Sequence, residues 1–290
     1  MVARKARPQA TGRRISDALR VPAGPIDVRS VDPGETPELD GGKVAAKELQ
    51  GGLADRLGEL QEQLYAEGRT GGKRSVLLVL QGLDTSGKGG TIRHVMGQVD
   101  PQGVQIAAFG PPTPEERRHD FLWRIRRELP RPGRLGVFDR SHYEDVVTVR
   151  VLDLVPRATW SRRYSAINRF EEQLVARGAR VVKCFLHISA EESRKRLLAR
   201  LDNPRKHWKF DPGDIDSRAL WEDYLDAYGD ALERCNTEYA PWHVIPADHK
   251  WYRNWAITKL LIEQLEEMAL RWPPASFDVE EQRARLLSGP

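Results

Sequence analysis

Only two cysteines occur in 290 residues, Cys184 and Cys235. That is too few for a disulfide framework, and no Cys/His spacing suits zinc. No apolar run reaches the length of a membrane span, and the first residues lack the apolar core of a signal peptide. A cytoplasmic location with no membrane partner is therefore the default expectation. Repeats and low-complexity tracts are missing too. A general excess of positive charge is also absent, although the formal charge is +4. Residues 1–20 hold Arg4, Lys5, Arg7, Arg13, Arg14 and Arg20 against Asp17, a net of +5, so the rest sums to about −1. The basic patches interleaved with aromatics that a nucleic-acid binder uses are not there, and no nucleic-acid partner is expected.

What is present, 40% hydrophobic and 30% charged residues, fits one large globular α/β domain. Ser75-Val76-Leu77-Leu78-Val79-Leu80 reads as a strand buried on both faces. Gln81-Gly82-Leu83-Asp84-Thr85-Ser86-Gly87-Lys88-Gly89-Gly90-Thr91 follows at once. Gly82 and Gly87-Lys88 stand at the G-x-x-x-x-G-K spacing of a phosphate-binding loop (Walker A) between a strand and a helix. Glycines let the backbone approach a phosphate, and the lysine adds a cation at a helix N-terminus. One more absence matters here. The common loop follows its lysine with Ser or Thr, which helps to hold Mg²⁺; this chain has Gly89. Asp84 lies inside the loop instead, where phosphate oxygens would repel it unless a divalent cation lay between them. Asp84 is expected to be a metal ligand, the alternative being an Asp that caps its own turn.

In chain order, residues 1–42 read as a flexible basic arm and 273–290 as a tail, around a domain at 43–272. Leu49, Leu53, Leu57, Leu60 and Leu64 predict a helix over 44–68. Helix 88–98 and strand 104–109 follow. Thr113 caps a helix expected from Pro114 to about Leu129, which carries Arg117, Arg118, Arg124 and Arg127. A buried strand at 135–138 then delivers Asp139-Arg140-Ser141-His142-Tyr143-Glu144-Asp145. Helix 159–177, strand 180–188 and a helix begun by Ser189 and Glu192 at capping-box spacing come next. The stretch at about 200–220, with Arg200, Arg205, Lys206 and Lys209, is a candidate lid. Helix 217–234, strand 242–246 and helix 252–271 complete a pattern that predicts a parallel sheet wrapped on both faces.

Ligands of such sheets bind beyond the carboxyl ends of the strands. Asp139, ending an apolar strand, is what a Walker B carboxylate looks like, and Arg140 after it can grip phosphate bidentately. The loop at 82–90, Asp139 to Val146, and Asn203-Pro204-Arg205-Lys206-His207-Trp208-Lys209-Phe210 together resemble the polyphosphate kinase 2 family, over roughly residues 45–272. Trp251-Tyr252-Arg253-Asn254 belongs to the same likeness. The resemblance implies a thymidylate-kinase-like P-loop fold: three layers, a parallel five-stranded sheet with helices on both faces, and a helical lid. It implies reversible, Mg²⁺-dependent transfer (Mn²⁺ as a substitute) of the terminal phosphate of inorganic polyphosphate to a nucleoside mono- or diphosphate. Acceptors would be AMP and ADP, with GMP and GDP as further candidates, and the family suggests a homo-oligomer. Dual-acceptor members often carry Asn where this chain has Asp139, a departure that bears on how the metal is shared.

On this reading Asp84 and Asp139 hold the metal. Lys88 and the N–H groups of Gly87, Gly89 and Gly90 cradle the phosphate. Arg140 and Arg200, with Arg205 and Lys209 from the lid, neutralise its charge. Arg117, Arg124, Glu144 and Asp145 are candidates for the acceptor nucleotide, and the arginines at 117, 118, 124 and 127 for a polyanion channel. Trp123, Trp208 and Trp221 read as packing residues rather than base-stacking ones. The rival readings are an ATP-dependent nucleotide kinase on the same fold, or a polyanion-binding module with a vestigial phosphate loop.

Overall fold

The strand at Ser75–Gln81 (β1) is buried along its whole length. Its side chains alternate between two cores, Val76, Leu78 and Leu80 entering one and Leu77 and Val79 the other, as the period of two requires. The remaining strands are Val104–Ala108 (β2), Leu135–Asp139 (β3), Ala179–His187 (β4) and Trp242–Pro246 (β5). The computed structural model, which describes residues 12–289, orders them β2-β3-β1-β4-β5, with every pairing parallel. The chain fills one side of β1 and then the other, so the order reverses at β1 and opens a crevice beyond its carboxyl end.

The helices are Ile15–Leu19 (α1), Gly42–Arg69 (α2), Lys88–Val95 (α3), Trp123–Arg127 (α4), Thr148–Val151 (α5) and Arg157–Ala176 (α6). After them come Ala190–Leu201 (α7), Gly213–Ala219 (α8), Trp221–Arg234 (α9), Lys250–Glu267 (α10) and Val279–Ser288 (α11). On one face Leu57, Leu60 and Leu64 of α2 meet Ile257, Leu260 and Leu261 of α10. On the other, Tyr164, Ile167 and Phe170 of α6 meet Leu225 and Leu232 of α9. Among the described residues no helix is long and apolar enough to cross a membrane.

Two expectations need correction. Residues 1–11 of the expected arm lie outside the described residues, but 12–41 are laid down on the domain rather than loose. The Ile15 and Ser16 N–H groups both donate to the Glu263 carboxylate at 2.9 Å, so α10 caps α1. Val21 N–H donates to the Trp242 carbonyl at 2.9 Å, the Tyr252 hydroxyl to Pro37 at 3.0 Å, and Arg29 bonds Glu222 and Asp226 at 2.7 Å each. The helix expected over 114–129 is likewise broken. Thr113 and Glu116 do close a capping box, at 2.8 and 3.2 Å. Backbone at His119 then turns extended, and the Asp120 carboxylate takes the Leu122 N–H at 3.0 Å, competing with the helix ladder.

β5 also carries a pH-sensitive group. His243 is 3% exposed, and burial lowers its pKa from 6.5 to about 4 against the opposing Lys183 carbonyl. The unfolded chain therefore takes the proton first. Stability is untouched above pH about 6.5 and falls as pH drops from there towards about 4. Between pH 7 and pH 5 the wild type is expected to lose about 2 kcal/mol more than His243→Asn in urea titrations. An equal loss in both proteins would refute this.

Candidate active site

The loop after β1 is shaped by close approach. A Cβ on Gly82, at φ +146°, would lie 2.7 Å from the Leu186 carbonyl oxygen, so only glycine fits. Thr85 takes a left-handed conformation at φ +68°. Arg196 of α7 holds it there, donating through Nη1 to the Thr85 and Ser86 carbonyls at 2.9 and 3.2 Å. Lys88 begins α3, buried, with Nζ folded back onto the Gly82 and Leu83 carbonyls at 2.7 and 3.3 Å. Burial lowers its pKa, with Asp84 pulling the other way. The loop's own carbonyls thus hold the ammonium inside the turn.

Gly89 differs from its neighbours. It is exposed, and a Cβ there would meet only the Asp139 Oδ2, at 4.0 Å. Packing does not demand glycine at this helical position. Gly89→Ala is expected to raise stability by about 0.5–1 kcal/mol in urea unfolding; a loss of stability would show a packed site.

The acids sit around this gap. Asp84 accepts a hydrogen bond from Arg140 Nη2 at 2.9 Å, and Arg140 Nη1 lies 3.8 Å from Glu144. Burial alone would lower the Arg140 pKa, but Glu144 and Asp84 outweigh it and raise it. Both carboxylates, Asp84 and Asp139, favour the charged form of Lys88, and Asp139 Oδ2 is the atom that a Cβ on Gly89 would meet. No ready cage of three or more His, Cys, Asp or Glu occurs among the described residues. The donors are hard oxygens, and the space beside Gly89 is open. That set fits a Mg²⁺-type ion, which keeps waters and takes one or two carboxylates together with substrate phosphates.

Two cavities meet at Arg140 and Glu144. One, of about 390 Å³, lies between the loop and α8 and is lined by Asp84, Asp211, Asp214, Arg218 and Tyr224. Its carboxylates outnumber its guanidiniums, so a polyanion would need metal charge to enter. The other, of about 560 Å³, is lined by Arg117, His119, Phe121, Arg124 and Arg163, and there the guanidiniums prevail. Asp145 accepts from Arg163 at 3.0 Å and stands 3.5 Å from Arg124. Burial raises its pKa while both arginines lower it. It therefore holds those arginines rather than facing a ligand alone. Glu144 takes the Thr148 hydroxyl at 2.7 Å.

Not every sequence candidate converges here. Arg200 braces the lid, donating to the Lys209 carbonyl at 3.0 Å and to Asp214 at 2.9 Å. The Arg205 and Lys209 side chains have no carboxylate partner among the described residues, and Lys209 lies 4.8 Å above the Trp208 ring. Trp208 is 78% exposed, which corrects its reading as a packing residue. Trp123 stacks on His119 at 4.0 Å with Arg127 above it, and Trp221 lies against both cores. Arg117 and Arg124 reach the second cavity; Arg118, paired to Glu115 at 3.5 Å, and Arg127 do not line it.

Sequence reasoning also missed what fixes the 142–145 turn. Lys183 of β4 and Glu171 of α6, both fully buried, pair at 2.6 Å. Lys183 donates to the Tyr143 hydroxyl at 2.9 Å, and that hydroxyl to Glu171 at 2.8 Å. Burial would raise the Glu171 pKa, but Lys183 and His142 lower it. A lysine inside an apolar strand was the available signal, since such a group needs a buried partner.

Comparison with known proteins follows from this geometry. The family model Polyphosphate kinase 2 (PPK2) matches residues 42–272. An AMP/ADP-polyphosphate phosphotransferase of Meiothermus ruber is 49% identical over 252 residues, 87% of this chain and 93% of that protein. An ADP-polyphosphate phosphotransferase of Rhodopseudomonas palustris is 42% identical, over 76% of this chain and 78% of its own. The crystal structure of a polyphosphate kinase 2 from Arthrobacter aurescens TC1 superposes with a TM-score of 0.93 at 49% identity, over 97% of this chain and 98% of that one.

Proposed function

The chain belongs to the polyphosphate kinase 2 family, and from that we propose that it is a phosphotransferase carrying the terminal phosphate of inorganic polyphosphate to AMP or ADP. The observation that carries this reading is Arg140, shared by the two cavities and bonded to Asp84. A guanidinium at that junction can stay with the phosphoryl group from donor to acceptor. The phosphate end of the donor lies on the loop, against Lys88 and the N–H groups of Gly87, Gly89 and Gly90. The acceptor's phosphates take Arg117, Arg124 and Arg163 in the second cavity, its ring near Phe121 and His119.

Asp84 and Asp139 would hold Mg²⁺ or Mn²⁺, which supplies charge that screens the donor from the carboxylates. Lid residues Arg205 and Lys209, without carboxylate partners among the described residues, suit the following phosphates of the chain, and Arg200 sets the lid's shape. Closure of the lid would exclude water and limit hydrolysis. A cytoplasmic setting, where nucleotides are made, goes with this reading.

Purified protein with Mg²⁺, polyphosphate and either AMP or ADP, and no ATP added, is expected to yield ADP or ATP. GMP and GDP run alongside report base selectivity. Product appearing only when ATP is the donor would replace the reading by an ATP-dependent nucleotide kinase.

A further inference from the structure

Arg253 stands in the first turn of α10 and is 2% exposed. Its Nη1 donates to the Ser86 carbonyl of the phosphate loop at 3.1 Å. Nε and Nη2 donate to Asn254 Oδ1 at 3.3 and 2.9 Å. The guanidinium fills the space where loop side chains would otherwise be. A Cβ on Gly87 would lie 1.7 Å from Nη1, and one on Gly90 would lie 3.1 Å from Nη2. The guanidinium thus lies against two of the loop's glycines, Gly87 and Gly90, from a helix more than 160 residues away.

The charge on this guanidinium is unmatched. Burial lowers its pKa from the ordinary arginine range to about 9, and the other charge acting on it is a second cation, Arg196. Arg196 has Glu192 at 2.8 Å; Arg253 has no carboxylate among the described residues, only neutral oxygens. A buried cation without a counter-ion is expensive to keep. It becomes favourable once an anion arrives nearby, and the place beside it is the loop that cradles phosphate.

We propose that Arg253 is a positioning residue of the phosphate loop, holding the Ser86 carbonyl away from the phosphate side and matching the charge of a bound phosphate chain through Gly87 and Gly90. The inference rests on the reading of this loop as the donor's phosphate site. It assigns Arg253 to the donor because the guanidinium bonds the loop's Ser86 carbonyl; it lines neither cavity.

The test uses the full chain with tripolyphosphate as the probe. By calorimetry in Mg²⁺, Arg253→Gln is expected to bind tripolyphosphate about 10- to 100-fold more weakly. The KM for polyphosphate should rise in step, while the KM for ADP stays within about twofold. Arg253→Lys, which keeps the charge but loses the planar fork, should fall between the two. Guanidinium ion at low concentration should restore part of the binding to Arg253→Ala. Tripolyphosphate binding unchanged in Arg253→Gln would overturn the proposal. So would equal losses for ADP and polyphosphate that follow a fall in Tm. Should Arg253→Gln fail to fold, the same ratios in Arg253→Lys decide the matter. A wild type that binds tripolyphosphate but makes no ATP from ADP and polyphosphate would overturn the functional reading alone, and the binding ratios would still judge Arg253.

Discussion

Asp84→Asn is expected to lower turnover by about 10³-fold while leaving the protein folded. The two halves of that statement have separate grounds. The Asp84–Arg140 pair is 2.9 Å long, but its side chains are 35% and 37% exposed. A pair so open to solvent contributes about 0–1 kcal/mol to stability, so its loss barely moves Tm. Catalysis is a different matter. Asparagine keeps the shape and removes the charge, so on the proposed reading a divalent ion would lose an anchor between donor and acceptor. Steady-state rates over a Mg²⁺ series check this: the variant should need more Mg²⁺ and recover part of its rate at high concentration. Full speed in Asp84→Asn, or an undisturbed wild type in excess EDTA, would remove the metal from the mechanism.

Lys88→Met should lower turnover by about 10³-fold or more, again with a small change in stability. Methionine keeps the unbranched apolar stem and ends one atom short of the ammonium. It forgoes the bonds to Gly82 and Leu83, at about 1 kcal/mol each, and it relieves the desolvation of a buried ammonium. The two effects oppose each other. A pH series separates them. Burial puts the folded pKa of Lys88 below its ordinary 10.5, so the unfolded chain holds that proton to higher pH than the folded one. Wild-type stability therefore gains as pH rises through the window below 10.5, and Lys88→Met should lack that gain. Comparable slopes in both proteins would show that the ammonium is not confined as the geometry has it.

Much of this site was readable because its signals are local. Gly82, Gly87 and Lys88 announce themselves by spacing, Asp139 by ending an apolar strand, and Thr113 with Glu116 by three residues' separation. Each needs only neighbouring backbone to take effect. The missed residues work across the fold. Glu263 caps a helix 248 positions away, and Arg196 reaches 111 positions back to the Thr85 carbonyl. Arg163 meets Asp145 only because α6 packs beside the 142–145 turn. In the sequence these look like ordinary helix charges. His119 is a further case: the run from Pro114 to Leu129 has good helix formers, yet one aspartate's bond to the backbone outcompetes them.

The docked segment at 12–41 has a bearing on where this protein begins as a physical object. The family model's match starts at residue 42, which invites expression of that span alone. Such a fragment would keep every loop, lid and cavity residue named above. It would also leave the Glu263 carboxylate facing water, bare the edge of β5 and strip the cover from α10, the helix that presents Arg253. The span that the family model matches is shorter than the span whose contacts cover β5 and α10.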